Sequence, residues 1–280
     1  MHTHLDSDPE AGGYGFLEFT DAYWTVIAVP NARKTLKAGF TTARNVGSSD
    51  WSDVALKQAI EAGKIDGPRI VPAGYSFGAT GGVFSHNTES GQQQLTPAEI
   101  KAVAEDVGPQ GCSPCPRRFR HPRRGLASID TIEHASLIDD EGIAAARKMG
   151  TWLSMDLYNT EYTQSEGAKN GVLEDNLCKD REIAEVQRQN FGKALKAGVK
   201  MVYGTDAGVY PRGDNARQFA VMIRYGAAPR QAIQTATINA ADALGQKDKV
   251  GVIKPGAFGD LVGVTGDHLQ NSGCWKNPPS

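Results

Sequence analysis

The hydrophobic positions along the chain alternate between short apolar runs and longer stretches with helical spacing. Residues 22–38 place apolar side chains at helical intervals and end at Gly39, so they predict a helix. Residues 40–47 form a short β-rich run closed by glycine, which predicts a strand and a turn. The same alternation continues along the chain. Further helices are predicted at 51–63, 96–107, 139–150, 181–199, 215–226 and 229–245, and further strands at 64–74, 128–134, 151–159 and 200–208.

This repeated exchange of strand and helix predicts a parallel α/β sheet, either closed as a barrel or doubly wound. Residues 250–267 break the pattern, because short β-like segments follow one another with Pro-Gly punctuation and no helix between them. We therefore predict an appended β element at this end of the chain.

Composition narrows the class of protein. Hydrophobic residues make up 40% of the 280 residues and charged residues 22%, as in a soluble globular protein. The net charge of −2 offers no overall attraction to nucleic acid or to an anionic membrane. No apolar run approaches the roughly 18 residues of a membrane span. The polar start of the chain has no signal-peptide pattern, so we expect a cytoplasmic location by default.

One segment, GCSPCPRRFRHPRRG at 111–125, differs from the rest of the chain. Its Cys-x-x-Cys has no second pair, which makes it a poor zinc site. The arginines of 117–124, with Phe119 among them, could hold phosphates, but the chain has no other basic stripe. We expect no nucleic-acid binding. The prolines of the segment discourage regular structure, so we expect a solvated loop.

The residues that could carry chemistry stand at predicted strand ends. His2 and His4 are two residues apart, so they share one face if they lie on a strand. His134 ends an apolar strand, and Asp206 follows a buried-looking strand. Each has an ordinary alternative: surface polarity for the pair, a structural role for His134, and a turn cap for Asp206. Their common position at strand ends favours a metal site.

These residues, in this order, resemble the amidohydrolase superfamily. The segments AGFTTARNVG (38–47), IDTIEHASLIDDEG (129–142), MVYGTDAGVYP (201–211) and VGVIKPGAFGDLV (250–262) are similar to its imidazolonepropionase-like branch, which includes Xaa-Pro dipeptidases and ochratoxin-hydrolysing enzymes. The resemblance implies a (β/α)8 TIM-like barrel that binds one or two divalent metal ions, with Zn²⁺ as the default. It also implies hydrolysis of the amide bond of a small molecule or dipeptide, and it leaves a homo-oligomer open.

The resemblance also assigns roles to single residues. His2 and His4 would bind the more buried metal, and His134 the other. Asp206 would bind metal and move a proton. Tyr158, in SMDLYNT, would donate to the scissile carbonyl as an oxyanion-hole residue, although an aromatic side chain packed at a strand end is an equal alternative.

The sequence departs from the family pattern in three places. The carboxylated lysine of the fourth strand and the histidine of the fifth strand are missing, and the chain starts at the His-x-His. We therefore expect residues 1–249 to form an incomplete barrel that lacks strand 1 and the strand 4–5 region. Residues 250–280 would be a remnant of a composite β-sandwich.

A frameshift accounts for the unusual segment. Plausible codons for residues 113–124, read in the neighbouring frame, encode AAHAHGASGIR, which is the missing fifth-strand motif. A similar shift restores a family-like ending at 271–280. The family function is then a metal-dependent amidohydrolase with one metal or none and impaired activity. The alternative is a non-catalytic, truncated fragment without a selected function.

Overall fold

The computed structural model describes residues 2–11, 14–48, 50–74, 112–114 and 130–269, with the backbone alone for 112–114. The strands are β1 (His2–Thr3), β2 (Thr42–Asn45), β3 (Arg69–Pro72), β4 (Cys112–Pro114), β5 (Thr131–Glu133), β6 (Trp152–Ser154), β7 (Lys200–Val202) and β8 (Gly204–Ala207). The helices are α1 (Asp21–Lys37), α2 (Ser52–Glu61), α3 (Asp140–Met149), α4 (Leu157–Glu166), α5 (Glu174–Lys196), α6 (Arg217–Arg224), α7 (Pro229–Ala236) and α8 (Ile238–Ala243). Short 3-10 turns lie at Gly15–Glu18 and Asp214–Ala216.

The strands form two parallel four-stranded sheets. Their orders are β3-β2-β1-β8 and β4-β5-β6-β7. Only Tyr203 separates β7 from β8, so the segment 200–207 belongs to both sheets and joins them. All pairings are parallel, which places the carboxyl ends of the strands along one rim. The predicted α/β class with parallel strands is confirmed.

Local sequence signals explain where several helices begin and end. In α3, the side chain of Asp139 accepts a hydrogen bond from the backbone N–H of Gly142 at 2.8 Å, which caps the first turn. Gly150 ends the same helix in the left-handed conformation. Helix α7 begins with Pro229, whose missing N–H costs nothing at a first helical position.

The largest apolar core lies around β5, β6, β7 and the helices α3 to α7. Its most enclosed side chains include Phe191 of α5, Leu153 of β6 and Tyr203 between the two sheets. A smaller core around Leu5 joins α1 and α2 to the β1–β3 side. Burial of apolar area at both places anchors the strand rim from which the candidate residues project.

Two expectations about missing strands are corrected. We expected strand 1 to be absent, but His2–Thr3 forms a short strand paired with β2 and β8. We also expected the segment 111–125 to be a loop, but Cys112–Pro114 pairs in parallel with β5.

Other boundaries differ from the expectation. Residues 151–159 were expected to form one strand, but β6 ends at Ser154 and Tyr158 lies in the first turn of α4. Helix α5 starts at Glu174, seven residues before the expected start. The tail was expected to be β-like, but residues 250–269 form turns and bends without a strand. The helix expected at 96–107 lies outside the described residues.

Among the described residues, no helix has both the length and the apolar character required to cross a membrane.

Candidate metal centre

Strand β1 carries two histidines into the rim of the sheet. His2 is buried between β2 and β8, and its register partners are Arg44 and Gly204. The Nε2 atoms of His2 and His4 lie 3.3 Å apart. Each Nε2 also lies 3.3 Å from Oδ1 of Asp206 at the end of β8. Three donor atoms therefore converge on one point.

His134 joins the same cluster from β5. Its ring centroid lies 4.7 Å from that of His2. Ligand atoms of His2, His134 and Asp206 all lie within 4.8 Å of one another. The four metal ligands proposed from the sequence are thus brought together, although they come from three strands that are distant along the chain.

The backbone is left-handed at two of these residues. His134 has a φ of 61° and Asp206 a φ of 53°, a region that residues other than glycine rarely adopt. Consecutive side chains of a regular strand point to opposite faces. The left-handed turn at His134 ends β5 and lets His134 and the preceding Glu133 both approach His2. Such local strain is typical of functional sites.

Carboxylates lie behind the buried His2 and the partly exposed His134. Nδ1 of His2 is 2.9 Å from Oε2 of Glu133, a residue with no exposed surface. Nδ1 of His134 is 2.9 Å from Oδ1 of Asp156. Arg44 donates from Nη2 to Oε1 of Glu133 and from Nη1 to the hydroxyl of Thr131 at 3.0 Å.

Asn159 of α4 connects the second of these carboxylates with the candidate ligand Asp206. Its Nδ2 donates to Oδ2 of Asp156 at 2.9 Å and to Oδ2 of Asp206 at 2.6 Å. The sequence analysis did not single out Glu133, Asp156, Asn159 or Arg44. A charged residue inside the short apolar strand TIE was the one signal that could have drawn attention to Glu133.

Burial and neighbouring charges shift the pKa values of the ionisable groups in the cluster. Burial alone would raise the pKa of Asp206, but hydrogen bonds with His2 and His4 hold that pKa well below its usual value. Burial would also raise the pKa of Glu133, and the Arg44 guanidinium holds it well below its usual value. Burial would lower the pKa of His134, but Asp156 raises it to about 10. The buried carboxylates thus remain ionised and favour positive charge between them.

The donor set suits a divalent cation. Imidazole nitrogen and carboxylate oxygen are the ligands that zinc and similar ions prefer. The Nε2 atoms of His2 and His4 lie 3.3 Å from each other and from one carboxylate oxygen, a spacing that a shared positive centre would satisfy. The side chains of His2, His4 and Asp206 therefore fit a divalent cation.

Tyr158 and Arg212 flank this region. The hydroxyl of Tyr158 lies 3.4 Å from Oδ2 of Asp214, and burial raises the pKa of Tyr158 to about 12. Arg212 is buried and donates from Nη2 to the backbone oxygen of His4 and to the hydroxyl of Ser7. The arginines of 117–124 lie outside the described residues.

Comparison with known proteins identifies the family. The model of the amidohydrolase family matches residues 124–277, more than half of the chain. The chain therefore belongs to the amidohydrolase family.

Individual relatives agree with this assignment. Ochratoxinase from Aspergillus niger is 27% identical over 209 residues, which cover 71% of this chain and 42% of that protein. The chain thus spans less than half the length of the curated relatives it matches. A crystal structure of a Xaa-Pro dipeptidase with methionine bound in its active site superposes with a TM-score of 0.88 at 26% identity, and covers 99% of this chain and 82% of that one. The crystal structure of A. niger ochratoxinase shares the fold, with a TM-score of 0.80 at 19% identity, over 99% of this chain and 78% of that one.

Proposed function

We propose that the chain carries the site of a metal-dependent amidohydrolase that cleaves an amide or peptide bond in a small substrate. The substrate class is an Xaa-Pro dipeptide or an amide of a C-terminal residue. Membership of the amidohydrolase family and the similarity to a Xaa-Pro dipeptidase support this class. The observation that carries the proposal is the convergence of His2 Nε2, His4 Nε2 and Asp206 Oδ1 at mutual distances of 3.3 Å.

In this proposal, His2, His4 and Asp206 hold one divalent cation, and His134 is the ligand nearest to a second position. Zinc is the proposed metal because its preferred ligands are those present. When bound, the cation supplies Lewis-acid polarisation of the amide carbonyl and of water. The lysine and the second histidine of the complete family pattern are missing from the sequence, so we propose one metal ion and impaired activity.

In this proposal, side chains of the protein transfer the proton and donate a hydrogen bond to the substrate carbonyl. Asn159 donates to Oδ2 of Asp206 and holds the carboxylate so that Oδ1 faces the two histidines, while the second lone pair of Oδ2 could accept a proton and pass it to the leaving amine. The hydroxyl of Tyr158 donates to Oδ2 of Asp214 at 3.4 Å, so it would have to turn from that carboxylate to donate to the substrate carbonyl.

We further propose that the fold is an incomplete (β/α)8 barrel made by residues 1–249. Among the described residues, the strand order β3-β2-β1, then the shared segment 200–207, then β6-β5-β4, supports a barrel in which no described strand joins β3 to β4. Residues 250–280 would be the remnant of a β-sandwich. Exposed apolar side chains at Ile253 and Leu261 are consistent with a segment that has lost its partners.

The proposal is tested by metal content and hydrolysis together. Protein purified without chelator should contain about one zinc per chain by elemental analysis. It should hydrolyse an Xaa-Pro dipeptide slowly, and a chelator should abolish the reaction. His2→Ala and Asp206→Asn should lose both metal and activity, because the first removes a donor nitrogen and the second removes the negative charge of the carboxylate ligand.

His268→Gln is the matched control, since Nδ1 of His268 lies beside the backbone oxygen of Gly266 in the tail. It should keep metal and activity. Metal-free protein that still hydrolyses the dipeptide would contradict the proposal. Absence of both metal and hydrolysis in folded protein would favour the alternative, a non-catalytic fragment of the family. DNA retention that falls with salt would point instead to the 117–124 arginines.

A further inference from the structure

We propose that Glu133 and Asp156 are positioning residues that decide which ring nitrogen of His2 and His134 carries the proton, and so leave Nε2 of both rings for a cation. This inference rests on the proposed function, because it assigns the groups that prepare the metal ligands. Metal-binding histidines commonly donate their other ring N–H to an acceptor that fixes the orientation of the ring.

The contacts of His2 allow one assignment of the proton that its ring keeps when a cation is bound. Nδ1 faces Oε2 of Glu133 at 2.9 Å, while Nε2 faces Oδ1 of Asp206 at 3.3 Å. An ionised carboxylate accepts and cannot donate, so Nδ1 must be the protonated nitrogen. Nε2 then presents its lone pair when a cation replaces the second proton.

Glu133 cannot turn away from His2, because its other oxygen is already engaged. Arg44 donates to Oε1 and also to the hydroxyl of Thr131, which fixes the guanidinium across β2 and β5. Glu133 has no exposed surface, and Arg44 is almost completely buried. The two oxygens of Glu133 are therefore held by different partners, Oε1 by Arg44 and Oε2 by His2.

His134 repeats the arrangement with different residues. Nδ1 faces Oδ1 of Asp156 at 2.9 Å, and Asn159 donates to Oδ2 of the same carboxylate at 2.9 Å. The same amide nitrogen lies 2.6 Å from Oδ2 of Asp206, and it has one hydrogen for each carboxylate. Asn159 thereby connects the orientation of Asp156 with that of the candidate ligand Asp206.

These hydrogen bonds predict the result of replacing either carboxylate by the corresponding amide. In Glu133→Gln, Arg44 can only donate, so it requires the amide oxygen and turns the NH₂ group toward His2. Nδ1 of His2 must then accept, and the ring proton moves to Nε2, where it blocks metal binding. Asp156→Asn has the same consequence at His134, because Asn159 also donates. Both changes keep the shape of the side chain.

The first measurement is zinc binding by calorimetry on the metal-free, full-length chain. We expect Glu133→Gln, which acts on the proposed ligand His2, to weaken binding about 10- to 100-fold, the usual effect of losing such a partner. Asp156→Asn acts on His134, which lies beside the three proposed ligands, so it should weaken binding less. Glu174→Gln is the matched control, because it removes a carboxylate that pairs with Arg181 on the surface. It should bind within about twofold of the wild type. Equal binding by all four proteins would refute the proposal.

The second measurement reads the ring nitrogens directly by ¹⁵N–¹H correlation NMR on histidine-labelled protein. In zinc-loaded wild type, the proton should sit on Nδ1 of His2 and His134, and each amide variant should move it to Nε2 of the affected ring. A merely structural role would not move this signal. Should Glu133→Gln fail to fold, Asp156→Asn carries the same test, because it acts on a different ring.

The two proposals fail in different ways. If folded wild type binds no zinc, the proposed function fails. The positioning role is then judged on the metal-free protein, where the Nδ1 proton of His2 should exchange slowly with water because Glu133 holds it. Exchange as fast as that of an exposed imidazole would overturn the inference.

Discussion

At the scale of residues, the site depends on backbone conformations that few side chains tolerate. His134, Ala135 and Asp206 have φ values of 61°, 46° and 53°. Gly208, with a φ of 135°, brings the loop after β8 against the loop after β1. A Cβ atom there would lie 2.8 Å from the backbone oxygen and 3.0 Å from Cβ of His4. The position of His4 therefore depends on the missing side chain of Gly208.

Gly208→Ala should weaken zinc binding, because the new methyl group must displace His4 or Ser7. Gly213→Ala is a matched control, since Gly213 also has a positive φ, at 113°, but a Cβ atom added there would meet nothing within 4 Å. Both variants should lose about 1–2 kcal/mol of stability from left-handed strain, measured by chemical denaturation. Only Gly208→Ala should lose zinc affinity in calorimetry. Equal affinities would show that the close approach does not set the geometry of His4.

The residues of the candidate site divide into two groups by how visible they are in the sequence. His2, His4, His134 and Asp206 stand at strand ends, where metal ligands are expected, and the structure brings all four together. Asp156 and Asn159 lie in a stretch that looks like the end of a strand. Their roles depend on contacts with residues 22 and 47 positions away, which no local pattern encodes.

At the scale of elements, helix α4 shows where local propensity fails. Its sequence LYNTEYTQSE is rich in tyrosine and threonine, which favour strands, and the sequence analysis placed its start in a strand. Packing against α5 supplies what propensity does not, and the backbone N–H of Tyr158 donates to Gln218 of α6 at 2.7 Å. By contrast, α3 has a cap and a terminal glycine and was predicted almost to the residue.

The contact between α4 and α5 contains a carboxylate whose ionised form is disfavoured by burial. Gln164 of α4 donates to Oδ2 of Asp180 on α5 at 3.0 Å, and burial raises the pKa of Asp180 to about 6. The folded chain therefore holds this proton up to a higher pH than the unfolded chain does. As a result, the contribution of Asp180 to stability is greatest below its unfolded pKa and is lost as the pH rises through about 6.

Asp180→Asn should raise stability at pH 8 and flatten its decline between pH 4 and pH 7. The asparagine oxygen can still accept from Gln164, so the contact is kept while the buried charge is removed. Denaturant midpoints measured across this pH range test the prediction, with Glu185→Gln on the exposed side of α5 as the control. A slope identical to that of the wild type would show that Asp180 titrates as an ordinary exposed carboxyl.

At the scale of the whole molecule, the two sheets depend on one shared segment. Residues 200–207 pair with β6 through β7 and with β1 through β8. The described order ends at β3 on one side and β4 on the other. Unpaired strand edges favour association with other chains. The tail adds exposed apolar surface, with Ile253 89% and Leu261 71% accessible.

We therefore expect concentration-dependent self-association, and expect the double substitution Ile253→Ser and Leu261→Ser to reduce it. Both side chains are largely in solvent, so their loss should leave the melting temperature nearly unchanged. Val26→Ser, at a 66% exposed position on α1, controls for the loss of a single exposed apolar group elsewhere. Sedimentation velocity over a range of concentrations measures the effect. If the double substitution leaves self-association unchanged, the tail is not its cause, and the strand edges of the sheets would be the remaining explanation.

Apolar periodicity, helix caps and histidines at strand ends are local signals, so they are enough to predict the α/β class, most helices and the four candidate metal ligands. Only the tertiary structure decided that the short segments at 2–3 and 112–114 form strands, since each pairs with neighbours far along the chain. It also decided that Glu133 and Asp156 stand behind the histidines. A hydrogen bond between residues 131 positions apart depends on how the strands are ordered in the sheet, and that order is a property of the packed chain.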